Sequence, residues 1–158
     1  RRADLASQAL VRLARLQPFE AQPHLALASL HLAQGRASRA IAEAEAAMQR
    51  EPLRAEAYLL RAQARLALGK LPEAETDARA ARELDPGSAQ AYALLGQALL
   101  GREEWAAARD AFTSALLLQP HEAQWQALLG KAEQALGHPQ AARAAFERGR
   151  ELQRMARR

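Results

Sequence analysis

The chain has 158 residues, 49% of them apolar and none of them cysteine, so it can bury one ordinary core but cannot build a disulfide scaffold, a zinc–thiolate site or a thiol-based active site. It holds 41 Ala and 26 Leu against four β-branched residues (Val11, Ile41, Thr76 and Thr113), a composition that excludes a sheet protein and favours helices. The net charge of +4 sits at the two ends, +3 over residues 1–16 and +4 over 139–158 with −3 between them, which argues against a basic stripe for nucleic acid.

Apolar residues recurring at steps of three and four predict nine helices. The first, 3–16, carries Ala6, Leu10, Leu13 and Leu16 and stops before Pro18. The next two, 22–34 and 38–50, are separated by Gly35, placed where a left-handed helix cap is needed, and are closed by Pro52. Helices 55–68 and 72–84 repeat the arrangement with Gly69, with Pro72 in a first turn, and with the stop Asp85-Pro86-Gly87-Ser88. Helices 89–101 and 105–118 present facing stripes, Tyr92, Leu95, Gly96 and Leu99 against Trp105, Ala108, Phe112 and Ala115. The last pair, 123–136 and 139–155, has Gly137 and Pro139 between its members, and Arg154 stands where the earlier units have proline, so the final helix runs on. No apolar run approaches the ~20 residues of a membrane span. The chain begins Arg-Arg-Ala-Asp without an initiator Met or an apolar leader, as expected of a piece of a longer or processed protein, and leaves cytoplasm and periplasm both open.

Pro18, Pro52, Pro86 and Pro120 are each 34 residues apart. The same step links Gly35 to Gly69, Gly96 to Gly130, Phe112 to Phe146, and the column Ala40, Ala74, Ala108 and Ala142. Residues 89–122 read Tyr92-x-x-Leu95-Gly96-x-x-Leu99, then Ala108-x-x-x-Phe112, Ala115 and Pro120, and this resembles the tetratricopeptide repeat. Four repeats are expected, at 21–54, 55–88, 89–122 and 123–156, preceded by a half repeat at 3–18 that contributes a second helix alone, all in a single domain. Departures fall at His24 and His31 in the aromatic columns of the first repeat, at Arg61 and Arg65 in the second, and at Trp125, one place early in the fourth. The resemblance implies an all-α, right-handed superhelical α-solenoid in which each repeat buries its face on the next. The half repeat would leave Leu10 and Leu13 partly uncovered, and the Arg-rich end (Arg143, Arg148, Arg150, Arg154, Arg157, Arg158) suits a polar cap.

The resemblance also implies a concave face lined by the first helix of each pair. Its columns here are Gln22, Leu25, Ser29 and Leu32; Glu56, Leu59, Gln63 and Leu66; Gln90, Ala93, Gln97 and Leu100; and Gln124, Ala127, Lys131 and Gln134, with Trp125 at the groove's edge. Amides interleaved with small apolar patches suit a peptide, whose main chain the amides bond while Leu25, Leu59 and Leu66 receive side chains. Some relatives clamp a chaperone's C-terminal carboxylate with Lys, Arg and Asn on this face; the matching columns hold Leu25, Ser29, Leu60, Gln90 and Leu94, which argues against such a tail.

Catalysis is not expected, and neither is a cofactor or a metal. His24 and His31 are seven apart rather than four, and no Gly-x-Ser-x-Gly, phosphate loop or dinucleotide fingerprint occurs. Acids such as Glu43, Glu45, Glu103 and Glu104 fall on faces expected to be solvated or at helix starts. The expected function is a non-catalytic scaffold for a protein or peptide partner. Similar arrays serve bacterial envelope assembly, including exopolysaccharide export, and an Arg- and Ala-rich composition suits a bacterial source. The alternatives are self-association through the incomplete N-terminal end, giving a homo-oligomer, and capture of an anionic polymer by the Arg-rich ends.

Overall fold

The computed structural model describes residues 2–157, with the side chains of residues 5–157. Among the described residues there are nine helices and no strand. They are α1 (Arg2–Leu16), α2 (Gln22–Ala33), α3 (Ala37–Arg50), α4 (Ala55–Ala67), α5 (Leu71–Leu84), α6 (Ala89–Gly101), α7 (Trp105–Leu118), α8 (Ala123–Ala135) and α9 (Pro139–Met155). Each end lies within a residue of its expected place, because caps and prolines set helix ends locally. α1, α3, α5 and α7 all stop two residues before a proline, whose ring would clash with the preceding turn. α9 has Arg154 at that point and continues to Met155. α6 is the start with a side-chain cap, Ser88 Oγ accepting from Ala91 N at 3.3 Å.

The chain forms two compact units, Arg1–Asp85 and Pro86–Arg158. In the first, α2 pairs with α3 and α4 with α5, α3 packs on α4, and α1 packs on α2. The core is built from alanines that are wholly buried, Ala28, Ala40, Ala44, Ala47, Ala57, Ala62 and Ala64 among them. A methyl side chain lets helix axes approach to ~8–10 Å. In the second unit α6 pairs with α7, α8 pairs with α9, and α7 packs on α8 around Leu95, Leu99, Ala108, Phe112 and Ala115.

The two units solve one packing problem in different ways. In the second, Gly96 and Gly130 receive the rings of Phe112 and Phe146; a Cβ added at either glycine would lie 2.9 or 2.8 Å from ring carbon. In the first, the same columns hold Ala28 with Ala44 and Ala62 with Ala78, all wholly buried, and no ring enters. Polar pairs sit beside them instead. His24 Nδ1 meets Glu43 Oε2 at 2.7 Å. Arg61 spans Asp77 with two bonds of 3.0 and 2.7 Å, and Arg65 Nη1 donates to Asp77 Oδ2 at 2.7 Å. Asp77 is buried, with its side chain 2% exposed. Glu45 also accepts from Arg61, at 3.3 Å, so Glu43 and Glu45 are engaged acids rather than purely solvated ones.

The turn inside each helical pair needs one residue with positive φ. Gly35, Gly69 and Gly137 supply it at φ 69, 71 and 77, and each turn closes with the next amide reaching back five residues, as in Arg36 N to His31 O at 2.8 Å. The corresponding place in the second unit is Glu103, at φ 63. Here a side chain occupies backbone space that suits glycine, at a cost of about 1–2 kcal/mol. Glu103→Gly is therefore expected to stabilise the second unit by about 1 kcal/mol, since the lost strain outweighs the added freedom of the unfolded glycine. Urea denaturation of the variant checks the sign.

Candidate functional site

The first helices, α2 and α4 in one unit and α6 and α8 in the other, lie side by side within their units. Their expected ligand-facing columns divide by burial. Gln22, Ser29, Glu56, Gln63, Gln90, Gln124, Lys131 and Gln134 are exposed. Leu32, Leu59, Leu66, Gln97, Leu100, Ala127 and Trp125 are half-buried, so each shows an edge to solvent.

Two residues depart from the expectation. Leu25 is 1% exposed and belongs to the core cluster of Ala21, Ala47 and Ala57, with Met48 and Leu60 packed against it. Ala93 is also 1% exposed. Neither receives a side chain from outside. Their column turns toward the neighbouring helices, because helices packed on alanine come so close that the residue beside the seam is covered. Leu59 and Ala127, in the same column, stay half-buried. The resulting surface is more polar than expected, with leucine edges between exposed amides.

Arg54 organises the start of this face in the first unit. Its guanidinium donates to Glu51 Oε2 at 3.0 Å, to Glu56 Oε2 at 3.2 Å and to Gln22 Oε1, tying the beginning of α4 to that of α2. The hydrogen bond to Glu51, above all, holds Arg54 above the usual arginine range. Deeper in this unit, burial pulls Arg61 down, but the bonds and charge of Asp77 outweigh it and the guanidinium stays above its ordinary range. Arg61 also lies 5.9 Å from the Tyr58 ring centre, and Tyr58 Oη donates to Pro52 O at 3.0 Å. The Arg61–Asp77–Arg65 cluster is the constellation that sequence reading missed. Its signal was present: two arginines in apolar columns, facing an acid in the column that holds Ala111 and Ala145 in the second unit.

His31 is buried and His24 half-buried, and His24 Nε2 and His31 Nδ1 are buried without a partner. Among the described residues no group of three or more His, Asp or Glu is placed to hold a metal ion, and no helix is long and apolar enough to cross a membrane. The carboxylate-clamp columns present no cation: Leu25 and Leu94 are buried, Leu60 packs on the core, and Ser29 and Gln90 are neutral.

Two family models, each described as a tetratricopeptide repeat, match residues 25–89 and 66–132. No curated protein matches the chain significantly. Among solved structures, MamA (41-end) from Desulfovibrio magneticus RS-1 is similar with a TM-score of 0.85 at 23% identity, over 97% of this chain and 86% of that one. TTC0263, a thermophilic TPR protein of Thermus thermophilus, is similar with a TM-score of 0.80 at 20% identity, over 96% of this chain and 83% of that one. The first TPR of Spaghetti (RPAP3), bound to the HSP90 peptide SRMEEVD, is similar with a TM-score of 0.72 at 25% identity, over 75% of this chain and 94% of that one. Helical pairs stepping by 34 residues, closed by proline and cored by alanine, together with two matching models that jointly span 25–132, place this all-α chain in the tetratricopeptide-repeat family.

Proposed function

We propose that the chain is a non-catalytic scaffold that holds a peptide segment of a protein partner along the exposed faces of its first helices. The observation that carries this is the alternation on those faces: exposed amides (Gln22, Gln63, Gln90, Gln124, Gln134) beside half-buried leucines (Leu32, Leu59, Leu66, Leu100). Amides bond a peptide main chain, and leucine edges take its apolar side chains. The Spaghetti neighbour, which binds a peptide, supports the class of ligand. The chain lacks cations in the clamp columns, so an internal segment without a demand for a terminal carboxylate suits it better than a chaperone tail. The finer reading is a role in a bacterial envelope-assembly or exopolysaccharide-export system, and it rests on resemblance alone.

Short random peptides displayed on phage and selected on the chain test this. Selected peptides are expected to bind Gln63→Arg and Gln90→Arg variants at least about tenfold more weakly, with helicity unchanged, since both side chains are exposed. Trp125→Ala is expected to weaken peptides bound at the second unit more than it lowers helicity. Peptides indifferent to all three substitutions refute the reading.

One observation favours a second reading, self-association. α1 leaves Leu5 and Leu16 65% and 71% exposed, with Val11 and Leu13 at 38% and 40%. A second copy covering this face would form a dimer. Sedimentation velocity across micromolar concentrations decides it, and a monomer throughout removes it.

A further inference from the structure

The outer side of the last helical pair carries a cleft of about 480 Å³ between α8 and α9. Its floor is small and apolar, formed by Ala127, Ala142, Phe146 and Gly149, and its rim carries Arg143 and Arg150. The two arginines are seven residues apart on one helix, so they stand on the same face two turns from each other.

Within the first unit, the same side of α3 is covered by α4. There the rim columns hold Ile41 and Met48, 102 residues before Arg143 and Arg150. Ile41 packs against the cluster that contains Ala64, and Met48 against the one that contains Ala57, so the covering helix runs antiparallel and meets the rim at two points seven residues apart. Both contacts are apolar. At the end of the second unit both rim positions are arginine, and a covering helix with alanine at those points would leave two charges over an apolar seam. The face has the form of a repeat joint and the charge of an acid receptor.

The joint between α7 and α8 shows what an arginine in this column meets. Arg109, 34 residues before Arg143, is held above its usual range first by its hydrogen bond to Asp110 and also by the charge of Glu133 on the covering helix α8. Arg143 has an exchangeable surface partner, Glu147 at 3.0 Å with side chains 81% and 51% exposed, and Arg150 has no carboxylate partner among the described residues. Self-docking through α1 is disfavoured by charge, because the stretch that includes α1 is itself basic, with Arg12 and Arg15 on the helix.

We propose that this face is a docking site for an amphipathic helix of a partner protein that lays small apolar side chains over Ala127, Ala142 and Phe146 and presents carboxylates seven residues apart to Arg143 and Arg150. The site is separate from the amide-lined faces of the first helices, and its test is independent of them.

The probe is a helix-stabilised synthetic peptide of residues 123–137 carrying Gln126→Glu, which places a second carboxylate seven residues before Glu133. One control peptide carries Glu133→Gln with Gln126 retained, and another carries Gln126→Lys and Glu133→Lys. By fluorescence anisotropy the chain is expected to bind the diacidic peptide at least tenfold more tightly than the amide control, with affinity falling as salt rises. The variant Arg143→Glu/Arg150→Glu, checked for unchanged circular dichroism, is expected to reverse the order and prefer the dilysine peptide, a switch that a purely structural role for the arginines would not produce. Equal binding of acidic and amide peptides, no binding of any, or an unreversed preference overturns the proposal. It is also overturned if the chain alone dimerises in sedimentation and the double variant abolishes the dimer, which would assign the face to a second copy.

Discussion

Asp77→Ala is expected to cost the first unit about 3 kcal/mol. Asp77 accepts three bonds from two guanidiniums while its own side chain is 2% exposed. Removing it leaves Arg61 and Arg65 with most of their desolvation cost and without their main counter-charge, and breaking one member of a buried ion cluster costs about 3–5 kcal/mol. The lower end applies because Arg61 and Arg65 keep 17% and 19% exposure, so water screens part of the loss. Urea denaturation measures the change, and hydrogen exchange should place it in α4 and α5. The cluster is not thereby a net source of stability. The second unit holds Leu95, Leu99 and Ala111 in the same three columns, beside Gly96 and Phe112. Grafting that set, as Arg61→Leu, Ala62→Gly, Arg65→Leu, Asp77→Ala and Ala78→Phe together, should recover most of the loss, because a packed apolar set often equals or exceeds a buried ionic one. A graft no more stable than Asp77→Ala alone would show that this unit cannot accept a ring.

Phe112→Ala should cost the second unit about 4 kcal/mol, the usual range for a fully buried phenylalanine being about 3–5. The informative experiment pairs it with Gly96→Ala. On the native background Gly96→Ala should destabilise by about 2 kcal/mol, since its Cβ would lie 2.9 Å from the Phe112 ring and that ring has no room to retreat. On the Phe112→Ala background the ring is gone and the same substitution should stabilise by about 1 kcal/mol, the ordinary advantage of alanine over glycine within a helix. The reversal of sign is the measurement, read as a double-mutant cycle. It reproduces what the first unit already contains, alanine facing alanine at Ala28 with Ala44 and Ala62 with Ala78. Destabilisation on both backgrounds would mean that Gly96 is needed for another reason.

The helices, their limits and the pairing order were legible in the sequence because each depends on chemistry within a few residues. Glycine reaches positive φ cheaply, proline clashes with the turn before it, and a 34-residue step brings the same side chain back to the same seam. Even so, Glu103 was not legible: nothing local marks an acid as the residue that takes a left-handed turn, and the closing bonds of the surrounding turn impose it.

Tertiary structure decided which side chains still face water once helices had met. Leu25 and Leu59 share a column and a residue type, yet one is sealed in the core while the other keeps an edge, because exposure depends on how closely the neighbouring helices approach. Asp77 became the partner of Arg61 and Arg65 for the same reason. Periodicity assigns a side chain to a face, but only the distance between faces determines whether that face is surface, seam or buried charge.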